Sequence, residues 1–310
     1  MHIKVAVGIL FDSNKNIFLA QRPNSRSWSG WWEFPGGKLE KNESPEEALA
    51  RELKEEVNID VINFEKWVTR NYSYEEHNVT LYFFKVTEWN GELTPKENQK
   101  LLWINPCEVN KATILPANIF ILNALSLPTQ YGITNISEVP KEIFLTQLLK
   151  QLKQGLKMIQ IREKNLPLDE LKKITKEILE ICRPFSAKVI LNSNVDLAVE
   201  VNANGAHLNS IELKKFTKKQ KNIIVSAACH SEEDVKIAQE KGVDFVVLSP
   251  VNKTISHPTI ESMGWAFFSS IINKYDLPVY ALGGMRKKDI SKALSSGAVG
   301  IASQRDIWTN

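Results

Sequence analysis

Gly36-Gly37-Lys38-Leu39-Glu40-Lys41-Asn42-Glu43-Ser44-Pro45-Glu46-Glu47 leads, through Ala48 to Ala50, into Arg51-Glu52-Leu53-Lys54-Glu55-Glu56-Val57-Asn58. Ser44 and Glu47 have capping-box spacing, and Pro45 occupies the first helical position that proline favours. Asn58 accepts the left-handed conformation that closes a helix, so the spacing predicts a helix ending at Val57. Leu49, Leu53 and Val57 recur every four residues and form its buried stripe, while Glu52, Glu55 and Glu56 share a different face. A Glu-rich face is ordinarily a solvated surface. Here a glycine pair precedes it, where backbone can approach a metal or phosphate closely. Arg51 can also pair with a neighbouring Glu and orient it. Three clustered carboxylates repel unless a cation sits among them, and Mg²⁺ takes oxygen ligands while keeping waters and substrate phosphates in its shell.

Around this helix the first part of the chain reads as strand-rich. Lys4–Phe11 and Ile17–Gln21 are expected strands joined by the turn cluster Asp12-Ser13-Asn14-Lys15-Asn16. Val79–Val86, β-branched and aromatic, is expected as a buried strand, and Asn90-Gly91 as a hairpin turn. Six of the eight tryptophans precede residue 128, and the composition changes near Leu127-Pro128. With 310 residues, at about 150 per domain, two domains are expected, residues 1–127 and 129–310.

The second part alternates strand and helix. Expected strands are Tyr131–Thr134, Met158–Arg162, Lys188–Asn192, Ala206–Asn209, Ile223–Ala227, Phe245–Ser249, Val279–Leu282 and Gly300–Ser303. Helical patterns cover Ile143–Gln154, Leu168–Cys182, Glu232–Lys241 and Lys287–Ser295. Eight strands with intervening helices fit a (β/α)₈ barrel, with a doubly wound open sheet as the alternative and the final helix short or missing. In such a barrel the ends of strands face the site, which singles out Gln160, Arg162 and Lys164. Gly283, Gly284 and Ser303 fall at the seventh and eighth strands, where barrels commonly bind phosphate. His207, His230 and His257 are further polar candidates, although a lone histidine is more often packed or exposed.

Composition bounds the function. Hydrophobic content of 43% and charged content of 24% fit a globular protein. Mean hydropathy is −0.23, and no apolar stretch approaches the roughly 18 residues of a membrane span. Val5 to Phe11 is short for a secretory segment and no small-residue cleavage site follows. Cys107, Cys182 and Cys229 are scattered, which fits a reducing, cytoplasmic setting and neither a disulfide framework nor a zinc site. Net charge is +3, but residues 1–127 carry 14 basic against 17 acidic groups and the remainder 25 against 19. Lys214-Lys215 and Lys218-Lys219 read as a solvated helix face, so neither nucleic acid nor membrane is an expected partner.

At Gly37, Glu43, Arg51, Glu52, Leu53, Glu55, Glu56 and Ile59 the chain resembles the signature of the Nudix hydrolases, departing only in Asn58 for Gly. The resemblance covers roughly residues 3–127 and is nearest the 8-oxo-dGTP diphosphatase branch. Val5-Ala6-Val7-Gly8-Ile9, Arg22, Trp32-Glu33-Phe34-Pro35-Gly36-Gly37 and Leu115-Pro116-Ala117-Asn118 are shared with it. It implies an α/β/α sandwich with a mixed sheet. It also implies a hydrolase that turns 8-oxo-dGTP into 8-oxo-dGMP and pyrophosphate, sanitising the nucleotide pool. By this resemblance Gly36, Glu52, Glu55, Glu56 and Glu97 surround Mg²⁺, with Mn²⁺ as the alternative ion. Arg51, Glu52 and Glu97 are the catalytic candidates, and the base stays open between Glu52 and Glu97. Arg22, Glu33, Phe34, Pro35, Gly36 and Asn118 contact the nucleotide. An Asn carboxamide donates and accepts at once, as an oxidised guanine edge requires. His77-Asn78 stands where that branch has Arg-His.

Residues 129–310 resemble the thiamine-phosphate synthase and TenI superfamily. The matching pieces include Gln160-Ile161-Arg162-Glu163-Lys164, Leu191-Asn192, Asn204-Gly205-Ala206-His207-Leu208, Cys229-His230-Ser231, Ser249-Pro250-Val251 and Ala281-Leu282-Gly283-Gly284. The resemblance implies a (β/α)₈ TIM barrel that binds a phosphorylated small molecule through Gln160, Arg162, Lys164, Gly283, Gly284 and Ser303. The departures fall on chemistry. Ser193 stands where the family has a metal-binding Asp, and Glu212 matches the second such Asp. Lys253 is displaced in the phosphate loop, and Pro250 replaces the histidine of the tautomerases. A phosphate-binding barrel without synthase activity is therefore expected. The alternatives are a bifunctional enzyme with synthase or thiazole tautomerase activity, or a sensing or dimerisation module.

Overall fold

The computed structural model describes residues 2–23, 27–75, 77–96, 98–217, 223–254 and 261–309. The chain separates into two compact units, Met1–Ser126 and Leu127–Asn310.

The first unit contains β1 (His2–Leu10), β2 (Ile17–Gln21), β3 (Trp32–Glu33), β4 (Gly36–Lys38), α1 (Pro45–Val57), β5 (Asp60–Ser73), β6 (Asn78–Asn90), β7 (Leu101–Ile104) and α2 (Pro116–Leu125). A four-stranded sheet has the order β4-β1-β6-β5, and a three-stranded sheet the order β3-β2-β7. Strands β1 and β6 are parallel, while β4 and β5 are antiparallel to their neighbours, so the larger sheet is mixed. Helix α1 forms as its caps dictate. Ser44 Oγ accepts from the Glu47 N–H at 3.2 Å, the Glu47 carboxylate accepts from the Ser44 N–H at 2.9 Å, and Asn58 takes φ 63°. Leu49, Leu53 and Val57 are fully buried in one core with Ala6, Leu10 and Phe84, and each such side chain contributes about 1.5–3 kcal/mol.

One strand expectation needs correction and one strand was missed. Asn90-Gly91 ends β6 but makes no hairpin, because the following strand, β7, pairs with β2 and not with β6. The hairpin is instead β5–β6, closed by the Tyr74 N–H donating to the His77 carbonyl at 2.9 Å. Strand β5 was illegible because it is a sheet edge, and register shifts along it break the period-two alternation.

The second unit alternates strands and helices throughout. Its elements are β8 (Gln130–Ile133), α3 (Lys141–Lys153), β9 (Met158–Ile161), α4 (Leu168–Cys182), β10 (Lys188–Asn192), α5 (Val195–Glu200), β11 (Gly205–Leu208) and α6 (Ser210–Lys215). They continue with β12 (Ile224–Cys229), α7 (Glu232–Glu240), β13 (Phe245–Leu248), α8 (Gly264–Ile272), β14 (Val279–Ala281), α9 (Ile290–Ser295) and β15 (Gly300–Ser303). All eight strands are parallel, and β15 pairs with β8, so the sheet closes and the open-sheet alternative falls. Tyr131, Phe245 and Tyr280 form a buried ring triangle with centroids 5.4–5.6 Å apart. The interior is packed there and not a pore. Helices α5 and α6 escaped the sequence reading because six residues are less than two turns, too short for a 3.6-residue period. Among the described residues no helix is long and apolar enough to cross a membrane.

After β15 the chain makes a short turn, Asp306–Trp308, in place of a full helix. Trp308 is buried, donates its indole N–H to the Ile133 carbonyl at 2.7 Å, and lies edge-on to Phe144 at 5.0 Å. It plugs the seam where the last strand meets the first. Trp308→Ala is expected to cost about 3–5 kcal/mol, read as a lowered denaturation midpoint. A loss under about 1 kcal/mol would show that the seam closes without it.

Candidate functional site

The glycine loop and α1 meet face to face. A side chain at Gly37 would overlap the Glu52 carboxylate, and one at Gly36, which has φ 146°, would overlap the Ala6 carbonyl. Only glycine permits this approach. The Gly36 N–H donates to Glu56 Oε2 at 3.0 Å, and Glu56 is buried. Glu52 is shielded and Glu55 open to solvent, with side-chain exposures of 14% and 62%. Burial pushes the Glu52 carboxyl upward and the charges of Glu55 and Glu43 add to this, while Arg51 pulls it back.

Arg51 is the hub. Its Nε and one terminal nitrogen grip Glu43 at 2.8 and 2.9 Å. The other terminal nitrogen donates to Glu52 at 2.8 Å and Glu55 at 3.2 Å, and the Lys38 carbonyl accepts at 3.0 Å. Among the described residues no three carboxylate, His or Cys side chains converge as a ready ligand set. The glutamates instead end on Arg51 and on the Gly36 N–H. Glu97 lies outside the described residues.

A second cluster gathers at α2. The Leu115 N–H donates to the Trp32 carbonyl at 3.0 Å, which brings the start of α2 to β3. There Arg22 pairs with Glu33 at 2.7 Å. Asn118 is buried in the first turn of α2, and its carboxamide makes no hydrogen bond to the described residues. Phe34 is a core side chain, and the Pro35 carbonyl is taken by the Gly8 N–H at 2.9 Å. Those two can therefore present little beyond backbone. Sequence reasoning missed Tyr74, which interacts with Arg22, Glu33 and the Ala117 N–H and stacks on His77 at 5.2 Å. The alternation Tyr72-Ser73-Tyr74 just before His77 was the available signal.

In the barrel, Gln160 donates to Asn192 Oδ1 at 2.8 Å across β9 and β10. Arg162 is partly buried, which lowers its pKa, and its charge lowers that of exposed Lys164. Ser193 has φ 54° and its hydroxyl accepts from Asn209 Nδ2 at 3.2 Å. Glu212 is spent on the capping box of α6, accepting from the Asn209 N–H at 2.9 Å. His207 is fully enclosed against Ser226 at 2.9 Å, and burial holds its pKa down at about 3, so it is neutral. His230 meets the Ser249 carbonyl at 3.0 Å. His257 lies outside the described residues. Gly283 packs on Pro250 and Gly284 on the Lys253 carbonyl, each too closely for a side chain. The Ser303 hydroxyl is buried and donates to the Met285 carbonyl at 3.2 Å.

Residues 1–122 match the NUDIX domain family, and residues 130–307 match the thiamine monophosphate synthase family. Over 95 residues the chain is 48% identical to an 8-oxo-dGTP diphosphatase of Proteus vulgaris, covering 31% of this chain and 85% of that protein. Over 116 residues it is 37% identical to the 8-oxo-dGTP diphosphatase of Escherichia coli K12, covering 37% and 90%. Over 165 residues it is 32% identical to a thiamine-phosphate synthase of Dictyoglomus turgidum, covering 50% and 72%. The chain is a Nudix hydrolase joined to a member of the thiamine monophosphate synthase family.

Within the Nudix unit the Glu43–Arg51 grip carries a pH signature. Hydrogen bonds from Arg51 hold the Glu43 carboxyl at about 2, against an ordinary 4.5. A carboxyl depressed by folding contributes stability that is present above its unfolded value and lost as the pH falls through its folded one. The stability gap between wild type and Glu43→Gln is therefore expected to be full above pH 4.5 and to vanish as the pH falls to about 2. Urea midpoints across that range measure it. A gap that stayed constant would remove Arg51 as the cause.

Proposed function

We propose that the Nudix unit hydrolyses nucleoside triphosphates to monophosphate and pyrophosphate with Mg²⁺ or Mn²⁺, preferring 8-oxo-dGTP. The observation that carries this reading is the packing of Glu52 and Glu56 against Gly36-Gly37, with Glu55 beside them. The donors there are all oxygens, and three like charges within one helical turn are a fit for a hard divalent ion. Glu52, Glu55, Glu56 and the Gly36 carbonyl would hold it, with Glu97 as the further ligand expected from the sequence. A bound cation neutralises phosphate charge and activates water.

The chain's own groups do the rest. Arg51 keeps Glu52 oriented and opposes the upward push of burial on its carboxyl, and Glu52 and Glu97 are the two carboxylates proposed as base. Arg22 and Glu33 border the nucleotide. The Asn118 carboxamide, buried in the first turn of α2, supplies one acceptor and two donors to a purine edge. Steady-state kinetics over a nucleotide panel should give a much higher kcat/KM for 8-oxo-dGTP than for dGTP. Glu56→Gln should lower turnover about 100-fold or more with the fold intact. A preference for a nucleotide sugar or dinucleoside polyphosphate would overturn the substrate. Full turnover by Glu56→Gln at saturating Mg²⁺ would overturn the metal site.

For the barrel, the reading is a phosphate-ligand site that makes no thiamine phosphate. Arg162 and Lys164 would supply positive charge and Gln160 an amide, and the loops at Gly283, Gly284 and Ser303 would offer backbone N–H groups, since the Ser303 hydroxyl is given to the Met285 carbonyl. The synthase reaction expels pyrophosphate, a leaving group that a metal must neutralise. Ser193 carries no charge, and Glu212 is turned into its own helix cap. Incubation with the pyrimidine pyrophosphate and thiazole phosphate is expected to yield no thiamine phosphate. Turnover near ~1 s⁻¹ would make the protein bifunctional and overturn this view.

A further inference from the structure

The last carbonyls of a helix have no later helical N–H to accept from, and a buried one without a donor is costly. At the end of α1 these groups are met by one segment of chain. The Thr94 N–H donates to the Val57 carbonyl at 3.1 Å and the Lys96 N–H to the Glu56 carbonyl at 3.1 Å. Gln99, buried, donates from Nε2 to that same Glu56 carbonyl at 2.9 Å. Glu56 is thus held from two sides. Its carbonyl is tied to Lys96 and Gln99, and its carboxylate to the Gly36 N–H at 3.0 Å.

Two of the three donors are backbone groups that almost any residue supplies. Gln99 is the one that depends on a side chain. If only space had to be filled, an apolar residue would serve without the desolvation cost of burying an amide. The amide instead reaches 43 residues back along the chain to a residue whose own carboxylate faces the glycine loop. A helix held at its last turn cannot roll about its axis, and a roll would carry Glu52 and Glu56 away from Gly36-Gly37 together.

We infer that Gln99 is a positioning residue for the carboxylate face of α1. It touches neither substrate nor cation. It fixes the final helical turn, and through it the distance of Glu56 and Glu52 from the glycine backbone. The inference rests on the reading of Glu52, Glu55 and Glu56 as cation ligands.

The test uses the full chain and two substitutions. Gln99→Met keeps the side-chain length and removes the donor, while Gln99→Asn keeps the amide one methylene short. Mn²⁺ binding is followed by the electron paramagnetic resonance of the free ion, beside thermal melts and kinetics with 8-oxo-dGTP and Mg²⁺. For Gln99→Met the Mn²⁺ Kd is expected to rise about 10-fold and kcat to fall about 10- to 100-fold, the order seen when a ligand's supporting partner is lost. KM should change little, and Gln99→Asn should fall between this variant and wild type. Unchanged Mn²⁺ affinity in Gln99→Met would overturn the assignment, and a lowered melting temperature with normal affinity would make Gln99 a plain helix cap. If Gln99→Met does not fold, Gln99→Asn decides by the same measure. A wild-type protein that binds no Mn²⁺ would overturn the cation reading itself, an outcome distinct from a failure of Gln99.

Discussion

Glu43, Glu52 and Glu55 all end on one guanidinium. Without Arg51 the loop before α1 and the acidic face of that helix would repel each other. With it, the Lys38 carbonyl and the Glu43 carboxylate are clamped to the middle of α1. The clamp holds Gly36-Gly37 over the helix, so that Glu52 lies against one glycine and Glu56 receives the N–H of the other. A lysine could not replace it. The bidentate grip on Glu43 needs the planar fork of arginine, in which one gripping nitrogen also serves the Lys38 carbonyl and the third nitrogen is left for Glu52 and Glu55. The polyanionic substrate proposed for this site would meet carboxylates, so its binding would depend on cations placed between.

The phosphate site proposed for the barrel carries the opposite charge. Arg162 and Lys164 lie close enough for one charge to lower the pKa of the other. Neither position that matches a metal-binding Asp of the resembled family offers a free carboxylate, since one is Ser193 and the other, Glu212, is spent in a helix cap. The acidic side chain beside Arg162 is also engaged. Glu163 is buried, accepts from the Thr134 hydroxyl, and takes the Ile136 and Ser137 N–H groups at 3.1 Å each. It secures the loop that leaves β8. One chain thus carries a cluster of carboxylates in one unit and a close pair of cations in the other.

The barrel was legible from sequence nearly strand by strand. A parallel strand buried on both faces reads as a short apolar run, and such runs between helices leave few alternatives. Helix Pro45–Val57 was equally legible, because its caps, its leucine stripe and its acidic face are all local patterns. The misses have separate local causes. Strand β5 is an edge with broken register, α5 and α6 are too short for periodicity, and the true hairpin turn lacks the Asn-Gly signal that residues 90 and 91 displayed.

By itself, the sequence determined which residues carry charge, where the capped helix α1 begins and ends, and which families the two halves resemble, since these depend on neighbours within a few positions. Only the tertiary structure decided what each charged group is free to do. It turned Glu212 from a metal candidate into a helix cap, enclosed His207 until it is neutral, and moved Phe34 into the core. It also tied Gln99 to a carbonyl 43 residues away. Burial, desolvation and hydrogen-bond partners belong to the packed chain, and nothing in the local order of residues specifies them.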